Sequence, residues 1–275
     1  MKYGTLVRLN DLKDCDKSFS AVKELGLNSC QLVYKPDVYC VEDAKIIKQS
    51  ADKYGIEISA LFAGFKDDYT VWDIKYDYRN AGINSVAFGA ERIKYLISAM
   101  PFVKELGVTD MITHAGFIPN DPFCEEYAEM VCKVSILASN AKKHGLNLLF
   151  ETGGESPITL LRIIKEINTG NLYVNLDTGN LIMYGYGNPC DAVITIGDYV
   201  RNVHAKDGVP PTDPYKIGAE TAIGKGVVDF KRVFTLLKEK GYDRFVTIER
   251  EITGDEQKKD IKNGLDYVKN IIESL

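Results

Sequence analysis

Five residues able to bind a metal ion or move a proton each stand directly behind a short apolar or β-branched run. They are His114 after VTDMIT, Glu151 after NLLF, Asp177 after LYVNL, His204 after RNV and Glu249 after VTI. Runs of this kind read as strands, which puts each residue at a strand's carboxyl end. Period-2 alternation gives Glu151 the parity of Leu149, and Glu249 that of Thr247 and Phe245, while Phe150 and Arg250 face the other way. Carboxylates that converge on one point repel each other, and burying an unpaired charge is costly. A divalent cation between them removes the conflict. Carboxylate oxygens with imidazole and no adjacent cysteine favour Mn²⁺, Mg²⁺ or Co²⁺, with Zn²⁺ also compatible.

The elements that must position these residues alternate along the chain. Strands are expected at Thr5–Leu9, Ser29–Tyr34, Glu57–Phe62, Val108–His114, Asn147–Glu151, Leu172–Asp177, Asn202–Ala205 and Phe245–Glu249. Helical stretches lie between them. Asn120, Asp121 and Pro122 are expected to open one, with Glu125 and Glu126 in its first turn and His144–Gly145 at its end. Ser156–Pro157 opens another. The last helix carries Ile261, Leu265, Val268, Ile272 and Leu275 on one stripe, as a helix packed on the outside of a barrel would. The fold class is therefore α/β, a single (β/α)8 TIM barrel spanning residues 1–275 as one domain. An open doubly wound sheet would carry a glycine-rich turn after its first strand, and LVRLNDLKD contains no glycine.

The connection from Ala63 to Ala90 is long for a compact domain. Its Tyr69, Trp72, Tyr76, Tyr78 and Arg79 either close over the mouth, where Trp72 would meet substrate, or pack on neighbouring helices. The net charge is −5 with both signs interspersed. No basic stripe of the kind that tracks nucleic acid stands out. There is no secretory signal at MKYGTLVRLND and no run long enough to span a membrane. Six cysteines without a CxxC pair are expected to be free thiols of a cytoplasmic protein.

The segments LFETGG, VNLDTGN, NVHAKD, IGKGVVDF and TIERE, in that order, resemble the xylose-isomerase-like barrel superfamily over nearly the whole chain. That group holds sugar isomerases and epimerases, inosose dehydratases and endonuclease IV-type nucleases. The resemblance implies one metal held by Glu151, Asp177, His204 and Glu249, with Glu151 and Glu249 also acting as the proton-transfer pair. It offers Asp207 as a residue that orients substrate, with a turn-capping aspartate as the alternative, and places Lys225 of the GKG segment near the mouth, where it and Asn180 are further candidates to touch substrate. His114 is either a ligand to substrate or metal surroundings or a histidine bonded to backbone. Lys206 shares the parity of His204 and either binds an oxyanion or is a solvated lysine, the residue by itself favouring the latter. Glu251 reads as a loop carboxylate, and His144 as a helix C-terminal residue facing the dipole.

Two departures matter. Asn180 stands three residues past Asp177, where the nucleases and several ketose epimerases carry histidine, and LFAGF supplies none at the end of the third strand. Three histidines in all cannot build the nucleases' three-zinc cluster. The function implied is a sugar or sugar-phosphate isomerase or epimerase working by proton transfer through a cis-enediolate, on a small-molecule carbohydrate. A keto-inositol or keto-sugar dehydratase on the same site, and a non-catalytic sugar sensor, are the alternatives. Metal identity, substrate and any homo-oligomer stay open at this level.

Overall fold

The computed structural model describes residues 1–65 and 81–275. Trp72, Tyr69, Tyr76, Tyr78 and Arg79 lie outside the described residues. Eight parallel strands close into a barrel in the order β1-β10-β7-β6-β5-β4-β3-β2. Their ranges are β1 Lys2–Val7, β2 Ser29–Val33, β3 Glu57–Phe62, β4 Asp110–His114, β5 Asn147–Glu151, β6 Leu172–Asp177, β7 Val200–Ala205 and β10 Phe245–Ile248. Helices α1 Cys15–Glu24, α2 Ala44–Lys53, α3 Gly89–Glu105, α4 Glu125–Lys143, α5 Pro157–Ile167, α7 Pro189–Ile196, α8 Phe230–Glu239 and α9 Asp255–Glu273 separate the strands or follow the last. A seven-residue helix, α6 Thr178–Tyr184, starts directly at the end of β6. An antiparallel ribbon, β8 Asp207–Val209 with β9 Ala219–Thr221, follows β7 and was not expected from the sequence.

Helix ends follow backbone electrostatics. Glu125 and Glu126 sit in the first turn of α4 and Lys142 and Lys143 in its last, opposite the ends of the dipole. His144 closes that helix, its Nδ1 lying 3.0 Å from the Asn140 carbonyl. α9 buries Ile261, Leu265 and Val268 against the barrel wall. Most of the apolar core lies between strands and helices. A small separate cluster, Ala60, Ile112 and Leu149, fills the barrel interior, with Phe62 and Tyr173 packed against it.

Several boundaries differ from expectation: β2 ends at Val33 rather than Tyr34, β4 begins at Asp110 rather than Val108, β7 begins at Val200 rather than Asn202, and three further differences have a local cause. β1 begins at Lys2 rather than Thr5, because it pairs with β10 from Lys2–Phe245 onward. Gly4 permits its close approach to β2, since a Cβ there would lie 2.6 Å from Ser29 Oγ. α4 begins at Glu125, not near Asn120. The Asp121 carboxylate accepts from the Phe123 amide at 2.9 Å, a side-chain turn that competes with helix. β10 ends at Ile248, leaving Glu249 just beyond it.

At the amino-terminal end of the barrel, the buried Asp110 side chain holds the closure together. It accepts from Asn147 Nδ2 at 2.7 Å, Arg201 Nε at 3.0 and 3.2 Å and Arg244 Nη2 at 3.4 Å. Those partners come from β5, from β7 and from the residue before β10. We expect Asp110→Ala to strand two arginines and cost about 2 kcal/mol, less than a fully buried pair because both arginines are partly exposed. Thermal unfolding should then fall by about 4–8 °C, with metal binding at the opposite end unaltered. An unchanged melting temperature would show that this network contributes nothing.

Candidate metal centre

Strand register sets the site. β4 pairs His114 with Glu151, and β6 pairs Asp177 with His204. β7 sets His204 beside Thr247, and the Glu249 amide donates to the Ala205 carbonyl at 3.2 Å. One ligand atom from each of Glu151, Asp177, His204 and Glu249 falls within 4.8 Å of all the others, and all four residues are buried. His204 Nδ1 is at their centre, 2.5 Å from Glu151 Oε1, 2.7 Å from Glu249 Oε2 and 3.7 Å from Asp177 Oδ2.

Each side chain is fixed by its neighbours. Asp177 spends Oδ1 on the Asn180 amide at 2.7 Å, capping α6. His204 Nε2 meets Gln31 Oε1 at 2.8 Å. With the Nε2 proton donated to Gln31, Nδ1 is the nitrogen that faces the carboxylates, and loss of its own proton would free the lone pair that a metal-binding imidazole needs. Phe62 stacks on the His204 ring, centroids 6.0 Å apart at 23°. Glu151 gives its second oxygen, Oε2, to His114 Nε2 at 3.0 Å. Threonines after two of the candidate ligands fasten neighbouring strand ends. Thr152 Oγ1 donates to the Asp177 carbonyl and accepts from its amide, both at 2.9 Å. Thr178 Oγ1 donates to the Lys206 carbonyl at 2.6 Å and accepts from its amide at 3.2 Å. Between them Gly179 must lack a side chain, because a Cβ would sit 2.8 Å from Lys206 Cγ.

The electrostatics are those of an overcrowded anionic pocket. Burial raises Asp177 to about 7 although Lys206 opposes the shift. Burial also acts to raise Glu151, but the positive charge of His204 and His114 holds it at about 2. Glu249 is likewise driven down by Lys206 and His204 against its burial. For His204, burial disfavours the cation, yet Glu249 and Glu151 push its basicity well above the ordinary range. Asp177 Oδ2, His204 Nδ1 and Glu249 Oε2 are buried without a hydrogen bond among the described residues, close ionic approach notwithstanding. Three carboxylates and one imidazole, converging with buried oxygens and nitrogen left over, fit a single divalent cation.

The other expected site residues fall as follows. His114 lies against Glu151 and orients it. Asn180 is buried in the first turn of α6, its amide spent on Asp177. Lys206 is buried, which overturns the solvated reading. Its Nζ reaches Glu251 Oε1 at 3.0 Å, Asp177 Oδ2 at 3.9 Å and Glu249 Oε2 at 4.0 Å. Burial opposes its charge, but Glu249 and Asp177 keep it protonated far above neutrality. Glu251, a loop carboxylate, thus touches the site through Lys206. Asp207 gives both oxygens to backbone: Gly208 and Val228 amides on Oδ1 at 2.9 and 3.1 Å, Gly224 and Gly226 amides on Oδ2 at 2.9 Å. It holds the GKG loop in place and has no oxygen free for substrate, so the turn-holding alternative prevails. Lys225 is exposed on that loop. Gln31, Phe62 and Asn175, whose Nδ2 lies 3.4 Å from Glu151 Oε1, were not anticipated. A glutamine inside SCQLV and an asparagine inside LYVNLD were the available signals, being polar residues at inward parity.

The comparisons with known proteins concern the family and the fold. A profile of the xylose isomerase-like TIM barrel family matches residues 19–271, and the chain belongs to that family. An uncharacterised protein of Methanocaldococcus jannaschii is 25% identical, covering 98% of this chain and 90% of that one. Inosose dehydratase of Clostridium tetani is 24% identical, but the match spans only 46% of this chain and 48% of the relative. Among solved structures, a xylose isomerase domain protein from Planctomyces limnophilus superposes with TM-score 0.89 at 29% identity, covering 99% and 98% of the two chains. A D-psicose 3-epimerase solved with D-fructose shares the fold at TM-score 0.70 and 17% identity, over 99% of each chain. A family protein of Mycobacterium smegmatis in complex with magnesium does so at 0.70 and 16%, over 96% and 89%. No described helix is long and apolar enough to cross a membrane.

Two outcomes follow for metal binding. A proton held by the raised His204 must leave Nδ1 before a cation binds there, so affinity should rise with pH, up to about tenfold per unit. Calorimetry in buffers of different ionisation enthalpy should register the released proton. Affinity that stays flat from pH 6 to pH 8 would contradict the His204 assignment. Gln31→Leu should lower metal affinity about 10–100-fold while the barrel stays folded, through loss of imidazole orientation. Equal affinities in variant and wild type would remove Gln31 from the site.

Proposed function

We propose that the chain acts as a single barrel unit, a divalent-metal-dependent isomerase or epimerase of a small carbohydrate. The observation that carries this reading is the convergence of two buried glutamates, Glu151 and Glu249, on His204 Nδ1 at 2.5 and 2.7 Å. Glu151, Asp177, His204 and Glu249 would hold one ion, of the hard or borderline class that includes Mn²⁺, Mg²⁺, Co²⁺ and Zn²⁺. When bound, such an ion polarises a carbonyl and a neighbouring hydroxyl and so acidifies the adjacent C–H.

The chain's own groups then do the proton work. One glutamate removes the proton on carbon, leaving an enediolate of the sugar. Return by the same glutamate to the neighbouring carbon, with the hydroxyl proton passing between the two oxygens, moves the carbonyl and gives isomerisation. Delivery to the same carbon from the opposite face, by the other glutamate carrying a proton at that stage, inverts the carbon and gives epimerisation. His114 steadies Glu151 through Oε2. Lys206, held charged beside Glu249 and Asp177, favours Glu249 as the ionised member of the pair, the base, and offers an N–H donor to a developing oxyanion. Phe62 walls the imidazole from water.

A dehydratase acting on a keto-inositol is the second reading, favoured by the partial likeness to inosose dehydratases. It would begin with the same proton removal and then expel the β-hydroxyl. Nuclease chemistry is disfavoured: His144 is committed to the end of α4, which leaves only His114 and His204 of the chain's three histidines for the mouth.

With metal-loaded protein, keto-sugars and keto-inositols should exchange a carbon-bound proton for solvent deuterium. Glu151→Gln and Glu249→Gln should each lower exchange by at least about 10²-fold at saturating metal. Mass spectrometry separates the two readings, since only dehydration removes 18 Da from the product. If both variants, fully loaded, exchange at the wild-type rate, the glutamates do not move the proton.

A further inference from the structure

Lys206 divides its ammonium between two sets of carboxylates. Nζ lies 3.0 Å from Glu251 Oε1 at the rim, and 3.9 and 4.0 Å from Asp177 Oδ2 and Glu249 Oε2 in the pocket. Those two pocket oxygens also face His204 Nδ1, at 3.7 and 2.7 Å. A divalent ion held by the four candidate ligands and the ammonium of Lys206 therefore compete for the same oxygens. Both are cations, so each raises the cost of the other there. The Lys206 backbone is fixed, because Thr178 Oγ1 holds both its carbonyl and its amide. Only the flexible four-carbon stem is left to carry the charge away.

Where the charge goes is set by Glu251. Its side chain is 55% exposed, and an exposed carboxylate on a loose loop would hold a lysine weakly. Here the backbone beneath it is pinned. The Glu251 amide donates to both oxygens of Glu220, at 3.0 and 3.1 Å. Glu220 also accepts from Arg250 Nη1 at 2.8 Å, and Arg250 Nε donates to Asp260 Oδ2 at 2.8 Å. These three side chains are only 10–15% exposed, so water competes little for their pairing. Gln257 Nε2 donates to the Arg250 carbonyl at 2.8 Å. Glu220 itself sits on β9 opposite Gly208, two residues past Lys206. The network thus joins β9, the segment after β10 and α9, and it ends on the carboxylate that holds Lys206.

We infer that Glu251 is the counter-ion that draws the Lys206 ammonium off Asp177 and Glu249 when a divalent ion binds, and that Glu220, with Arg250 and Asp260, positions it to do so. Metal affinity is then set in part by residues that are not ligands. This rests on the single-metal reading above and adds to it a rim device that governs how tightly the ion is held. A buried ammonium does not stay unpaired. Without Glu251, the described acceptors within 4.0 Å of Lys206 Nζ are the ligand oxygens of Asp177 and Glu249 themselves. The lysine would then bind where the ion has to bind. With Glu251 held at the rim, the ammonium keeps a partner while the pocket oxygens turn to the ion.

The test is calorimetric titration with Mn²⁺ of the wild type and of variants that still melt cooperatively. Glu251→Gln should weaken Mn²⁺ binding about three- to tenfold. Loss of a negative charge near a dication lowers affinity by itself, so two further comparisons separate the routes. Glu251→Asp keeps the charge but shortens the reach to Lys206, and should weaken binding nearly as much as Glu251→Gln. In a Lys206→Met background Glu251→Gln should have no effect, and Lys206→Met alone should bind Mn²⁺ more tightly than the wild type. Glu220→Ala should weaken binding in the same direction and add nothing to Glu251→Gln. Wild-type affinity in Glu251→Gln would overturn the inference, as would a loss that persists undiminished in the Lys206→Met background. Wild-type affinity in Glu251→Asp would overturn it too, and decides the matter even if Lys206→Met does not fold. Wild-type affinity in Glu220→Ala would strike the positioning role. If the wild type binds no Mn²⁺, the metal centre fails and this inference with it. Tight binding by the wild type with unchanged variants sinks this inference alone.

Discussion

Everything at the mouth of this barrel answers one electrostatic problem: three carboxylates, of Glu151, Asp177 and Glu249, are brought into a buried space around one imidazole. Left alone, like charges at these separations would force protonation or drive the strand ends apart. The structure meets the problem with cations on two sides. His204 occupies the centre, and Lys206 approaches Asp177 and Glu249 from its own strand end at 3.9 and 4.0 Å. The chain's cations offset only part of that negative charge. Asp177 Oδ2 and Glu249 Oε2, together with His204 Nδ1 once its proton leaves, are what a divalent ion would engage.

Such a concentration of charge needs rigid walls, and the rigidity comes from backbone close at hand. Thr152 and Thr178 each immediately follow a candidate ligand and clamp both the carbonyl and the amide of a residue at or just past the end of the next strand. The strand ends β5, β6 and β7 are thereby fastened in sequence, and Gly179 gives the Lys206 backbone room to pass. Asp207 does the same for the loop after β9, binding four amides with one carboxylate. The opposite rim is organised by a different network, that of Asp110 with Arg201 and Arg244. Stability and chemistry thus reside at opposite ends of the same strands, as is general for this architecture.

Membership of the xylose isomerase-like family fixes the scaffold and leaves the substrate to the loops. In this chain the loops after β4, β6 and β8 bring Phe117, Tyr184, Tyr186 and Pro211 together next to the metal centre.

The sequence by itself determined the alternation of strand and helix, the closure into a barrel and the residues at the strand ends. These are local facts: an apolar run of period two followed by a polar residue specifies both the strand and the polar residue's place at its end. Glu57–Phe62, Asn147–Glu151 and Leu172–Asp177 were legible to the residue for that reason. Tertiary structure decided matters that depend on register and on partners far along the chain. β1 starts at Lys2 because β10 lies beside it, 243 residues later at Thr5 and Ile248. Gln31 became the support of His204 across 173 residues. Lys206 read as solvated because lysine usually is, and only the convergence of Asp177, Glu249 and Glu251 around it makes a buried ammonium stable. Asp207 read as a candidate for substrate, yet the folded loop offered it four amides first. Parity says which way a side chain leaves its strand, whereas what it meets there depends on segments that only the closed barrel brings together.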